Sequence, residues 1–99
     1  MNAFDTQVIR KKHGVDWNEE YIIAMVHHSE DMNTSRVLNI ARIQKVMSTA
    51  TAHKYLMSAI KKKFLLKKQD KEDRRGVHIV VSASGERFLE EIKNAYVRK

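Results

Sequence analysis

STATAHKYLMSAIKKKFLLKKQDKEDRRGVHIVVS, Ser48 to Ser82, decides how the chain folds. Ser48 carries the hydroxyl that caps a helix start, and Thr51 follows at the third helical position. The helix so begun runs to about Lys62. With Leu56 inward, Ala52, Ala59 and Ile60 point the same way by three- and four-residue spacing. The other face then carries Ala50, Thr51, Lys54, Met57, Ser58 and Lys61, with Thr49 and His53 at its margin. Phe64 to Lys68 is short and apolar at its start. Val77 to Val81 is rich in β-branched residues, with Val77, Ile79 and Val81 alternating against His78 and Val80. Gln69 to Gly76, between them, is almost wholly charged. The stretch therefore predicts a helix and a two-stranded hairpin.

Working outward, Ala3 to His13 reads as a short, weakly amphipathic helix. Phe4, Val8 and Lys12 share a face, Ile9 lies beside them, and Gly14 is the stop. Asp16 can cap a second helix, with Glu19 and Glu20 in the first turn where the macrodipole favours acids. Its apolar positions Trp17, Tyr21, Ile22, Ala24, Met25 and Val26 form a wide stripe, so it should be largely buried, Trp17 and Tyr21 serving core or interface. Ser29 to Thr34 is a loop. Thr34 or Ser35 can cap a third helix holding Val37, Leu38, Ile40, Ala41 and Ile43. Ala41 is small enough for the next helix to pack against it. Downstream, Ser82 or Ser84 can cap a last helix from Gly85 to about Val97, with Phe88, Leu89, Ile92 and Tyr96 inward.

Ninety-nine residues support one domain, residues 1–99. The absence of Cys excludes disulfides and cysteine-ligated metal. There is no Pro and there are three Gly, which favours helices joined by short turns. No apolar run is long enough to span a bilayer, and the N-terminus lacks a signal-peptide core, so a soluble, cytoplasmic protein is expected. The formal net charge is +7 and it is concentrated. Eleven Lys and Arg meet three acids between Arg42 and Arg75, whereas residues 1–41 carry −2 and residues 76–99 carry +1. Such a block is the footprint of a polyanion partner, most often nucleic acid; the plain alternative is a solvated lysine face.

Signals for catalysis or metal binding are weak. His27 and His28 adjoin Glu30 and Asp31, but neighbours in a helix point in different directions, and no HExxH-type spacing occurs. Neither a Ser, His and acid constellation nor a Gly-rich phosphate loop is present. Ser48 reads as a cap, not a nucleophile. We expect no enzyme activity, no catalytic residue, no cofactor and no metal.

The order helix, helix, helix, hairpin, helix is that of a mainly α winged helix-turn-helix. At the hairpin, DKEDRRGVHIVVSASGERFLEE (Asp70 to Glu91) resembles the wing and following helix of MarR-type transcriptional regulators. The matching features are Asp73-Arg74-Arg75, the strand Val77 to Val81, and Ser82-Ala83-Ser84-Gly85. STATAHKYLMSAIKKKFLLKK is similar to that family's recognition helix and first wing strand. The resemblance covers residues 34 to 91. It implies that Thr49, Ala50, Thr51, His53 and Lys54 meet the major groove and that Arg74 and Arg75 contact the minor groove or phosphates. It further implies that Asp73 orients an arginine through a charge-assisted bond. Three features depart from the pattern. Lys63 or Phe64 stands where a Gly usually follows the recognition helix. The segment before the second helix is short, and the final helix ends with the chain, where family members have long terminal helices forming a dimer and a ligand pocket.

The reading is therefore a sequence-specific, double-stranded DNA-binding regulator of prokaryotic or mobile-element origin. Ser48 fixes the helix, its first-turn side chains read bases, and Lys61, Lys67, Lys68 and the wing arginines hold phosphates. The Lys61 to Lys63 cluster is expected to track phosphates; about six neutralised phosphates imply a log–log salt slope near minus five. A homodimer through Phe4, Val8, Phe88, Ile92 and Tyr96 is expected, without a membrane and without a small-molecule effector. The competing readings are a winged-helix protein–protein adaptor and a plasmid or phage replication or partition factor.

Overall fold

A computed structural model describes residues 3–29, 32–69 and 77–97. The element order is α1 (Ala3–His13), α2 (Trp17–His27), α3 (Thr34–Ile43), α4 (Thr49–Lys61), β1 (Leu65–Gln69), β2 (Val77–Val81) and α5 (Ala83–Val97). The strands pair antiparallel, with Leu65 opposite Val81 and Gln69 opposite Val77. This is a winged helix-turn-helix: four helices lead into a hairpin, and the fifth helix returns beside the first.

The helix ends follow from local chemistry. Asp16 and Glu19 form a reciprocal capping box at the start of α2, the Asp16 N–H donating to Glu19 Oε1 at 3.2 Å. Asn33 caps α3, its Oδ1 accepting the Arg36 N–H at 2.9 Å. The expected caps Thr34 and Ser35 lie inside the helix instead, because Asn33 offers the same oxygen one residue earlier. Ser82 caps α5 by accepting the Gly85 N–H at 3.1 Å, so the helix starts at Ala83, two residues before the expected Gly85. Three helices end through a left-handed residue whose N–H groups close back on the last turn: Gly14 (φ 67°), Lys45 (φ 56°) and Lys63 (φ 70°). After α4, Lys63 N–H donates to Ile60 O and Phe64 N–H to Ala59 O, both at 3.0 Å. The missing glycine is thus answered by a lysine forced into the glycine-type conformation.

Ile22, Ile23, Val37, Ala41, Ala52, Leu56, Ala59, Leu65, Ile79 and Phe88 form the centre of the core. Ala41 is fully buried against α4, as the helix-turn-helix spacing requires. Fully burying Phe88 or Leu56 contributes about 2–3 kcal/mol each. The wing is anchored twice. Ile79 N–H donates to Met32 O at 2.8 Å, and Ser82 N–H donates to Phe64 O at 3.0 Å.

Phe88 and Ile92 face inward as expected, while other side chains depart from the expected faces. Tyr96 is 52 % exposed, and Ala95 takes its place inward, because α5 turns its 88, 92 and 95 positions to the core. Trp17, expected in the core or at an interface, is 60 % exposed and outside the core, with the buried Arg10 guanidinium 4.0 Å from its ring centre. Phe88 and Ile92, offered as dimer contacts, are buried in the chain's own core. Ile23, absent from the expected α2 stripe, is fully buried. Arg10 itself is held by Glu20 at 2.7 Å and donates to Thr6 Oγ1 at 3.1 Å. Burial pulls its proton affinity down, but the hydrogen bond and charge of Glu20, with Tyr96 beyond, raise it above the ordinary arginine value.

Candidate nucleic-acid interface

The face opposite the α4 core stripe is the candidate site. Ala52, Leu56 and Ala59 are buried, which leaves Thr49, Ala50, His53, Lys54 and Lys61 on the exposed side. Ser48 Oγ accepts the Thr51 N–H at 3.2 Å and donates to Thr51 Oγ1 at 2.9 Å, fixing the first turn. Thr51 is half-buried as a result, and Ser48 is exposed beside it. Lys54 Nζ lies 5.6 Å from the Tyr55 ring centre. The exposed first turn is small and polar, the kind of surface that approaches base edges.

Two residues expected on the outward face do not belong to it. Met57 is half-buried and packs against the core. Ser58 Oγ donates to Glu19 Oε2 at 3.1 Å, so it faces α2. Lys62, in the middle of the expected phosphate-tracking cluster, has its Nζ 2.8 Å from Glu19 Oε1 and 2.7 Å from Gly14 O. Lys61 and Lys63 are exposed on either side of it. Lys67 and Lys68 are exposed on β1. Asp73, Arg74 and Arg75 lie outside the described residues.

Glu19 is the residue that sequence reasoning missed. Its position in the first turn of α2 has a sufficient local explanation in the helix dipole, yet its side chain is only 3 % exposed. A second clasp joins α1 to α5, where Glu91 takes Lys12 Nζ at 3.0 Å and His13 Nε2 at 2.7 Å. The His13 hydrogen bond, then that of Lys12, holds the Glu91 carboxyl below its usual value despite partial desolvation. His27 bridges α2 to α5 through Glu86 at 3.1 Å. Among the described residues, no three His, Asp or Glu side chains converge as a metal-binding set, and no helix is long and apolar enough to cross a membrane.

The hairpin behind an exposed, capped second helix of a helix-turn-helix defines the winged-helix class, and solved structures similar to the chain include MarR-type regulators. An S. aureus MepR–DNA complex superposes with a TM-score of 0.72 at 14 % identity, covering 93 % of this chain and 67 % of that one. A MarR/EmrR family regulator from Acinetobacter sp. ADP1 gives 0.72 at 18 % identity, covering 94 % and 63 %. S. aureus MarR in complex with salicylate and kanamycin gives 0.72 at 17 %, covering 94 % and 59 %. At these identities the likeness establishes the fold. The chain spans about three-fifths to two-thirds of the length of these neighbours. The salicylate complex among them leaves the expected absence of a small-molecule effector without support. No protein-family model and no curated protein matches the sequence.

Proposed function

We propose that the protein is a cytoplasmic, sequence-specific, double-stranded DNA-binding transcriptional regulator. In this reading α4 enters the major groove and the wing reaches the minor groove or backbone. The observation that carries it is the exposed first turn of α4, held by Ser48 above a fully buried inner face and next to the basic block of the chain. Thr49, Ala50, Thr51, His53 and Lys54 read bases, while Lys61, Lys67, Lys68, Arg74 and Arg75 hold phosphates and Asp73 orients an arginine. The DNA-bound state of the MepR neighbour supports the same reading. The protein acts as a homodimer, with the exposed apolar side chains Val8 and Tyr96 on the α1–α5 side available to a second copy.

The test is selection of binding sites from a random duplex library, followed by gel shifts of Arg75→Ala and Lys54→Ala. Both variants are expected to lose affinity without a large fall in melting temperature, and a palindromic site would report the symmetric dimer. Unchanged affinity in both removes the groove assignment. Failure of the wild type to shift any duplex at low salt favours the adaptor reading.

A further inference from the structure

We propose that Lys62 is a positioning residue of the DNA site and not one of its phosphate contacts; the proposal rests on the DNA-binding reading above. Lys62 stands in a run of three lysines, where charge alone would assign it to the backbone of a duplex. Its ammonium is committed elsewhere. It bridges Gly14 O at 2.7 Å, in the elbow between α1 and α2, and Glu19 Oε1 at 2.8 Å. The second oxygen of the same carboxylate takes the Ser58 hydroxyl at 3.1 Å.

Ser58 and Lys62 are four residues apart and so lie on one side of the end of α4, one turn from each other. One buried carboxylate therefore holds the helix at two heights. Two such points restrain both rotation about the helix axis and sliding along it. A slip of a single residue would turn the outward face by about 100° and move it by about 1.5 Å. The carboxylate is buried but the ammonium is part-exposed, and an ion pair with one buried member is seldom the most stabilising choice. What this one supplies is a fixed azimuth for the face that holds Thr49, Ala50 and His53. The elbow it grips is itself clasped to α5 through Lys12, His13 and Glu91.

The two roles separate in DNA binding. A phosphate contact contributes equally to every duplex and to the salt dependence, whereas a positioning contact contributes to discrimination. Binding is measured over a series of salt concentrations to the duplex that the wild type selects and to a scrambled duplex. Lys62→Met should lose about tenfold or more on the selected duplex, the worth of a misplaced base contact, with little change on the scrambled one and no change in salt slope. Lys62→Arg, which keeps the charge and the donors, should restore discrimination. Lys61→Met serves as the phosphate control: it should weaken both duplexes and reduce the salt slope by about one.

Glu19→Gln keeps the shape and removes an acid, so simple electrostatics would leave DNA binding equal or tighter. Positioning predicts weaker binding to the selected duplex alone. This variant decides the matter if Lys62→Met is found by circular dichroism to be unfolded at the assay temperature. Equal losses on both duplexes with a slope reduced by one, or wild-type discrimination in both Lys62→Met and Glu19→Gln, would overturn the proposal while leaving the DNA reading intact. A wild type that selects no duplex ends both.

Discussion

Replacing Gly85 by alanine sets a methyl carbon 2.4 Å from Phe64 O and 2.6 Å from Val81 Cγ1. Neither neighbour yields easily. Phe64 O is backbone and already accepts the Ser82 N–H at 3.0 Å, and Val81 is β-branched, with few rotamers open to it. Relief requires the first turn of α5 and the start of β1 to part by most of an ångström. Overpacking of this sort costs about 1–3 kcal/mol, and the helix-forming advantage of Ala over Gly returns about 0.5–1 kcal/mol. The net loss should be about 1–2 kcal/mol, or roughly 5–15 °C in melting temperature for a domain of this size. Thermal unfolding followed by circular dichroism measures it. Gly14→Ala is the contrasting variant: nothing lies within 4 Å of its added carbon, so only the left-handed backbone (φ 67°) is penalised, by about 1 kcal/mol. A melting temperature for Gly85→Ala equal to or above the wild type would refute the close approach of α5 to Phe64. Rescue by Val81→Ala should be partial at most, because the carbonyl contact remains.

Lys45→Gly and Lys63→Gly should each raise stability by about 0.5–1 kcal/mol, since both lysines occupy left-handed conformations; chemical denaturation would show it as a higher midpoint with unchanged slope. Ser48→Ala removes the cap of α4 and should cost about 1 kcal/mol, with amide exchange rising first at Thr51. The Glu91 carboxyl is held below its ordinary value near 4.5, so its contribution is complete above that pH and is lost as pH falls through the lower folded value. Glu91→Gln should therefore flatten the acid limb of stability against pH; an unchanged acid limb would remove the clasp from the account. The effect should be small, because the carboxylate is partly exposed.

Element order was legible because each boundary is written locally. Ser48, Asp16 and Ser82 offer caps, and Leu56, Ala52 and Ala59 declare a face by spacing alone. Other features depend on partners far away in the chain. Glu19 has a satisfactory reason to exist in its own first turn, and nothing nearby reveals that Lys62, 43 residues on, will enclose it. Tyr96 and Ala95 compete for one inward position on α5, and helical periodicity accepts either after Ile92; the packing against α1 selects alanine. Ser58 reads as outward because it is polar, whereas the buried carboxylate across from it makes a polar inward residue the better choice. Asn33 is hard to single out as the cap because Thr34 and Ser35 next to it are also competent caps.

The bond from Ile79 to Met32 has a consequence for how molecules meet in solution. With β1 on one flank and Met32 bonded to Ile79 on the other, the outer edge of β2 is covered at its middle. The outer border of β1 runs along a strand that carries Lys67 and Lys68. Two copies approaching border to border bring like charges together, which discourages runaway stacking. Swapping both lysines for threonine should therefore show as light scattering at concentrations where the parent stays clear.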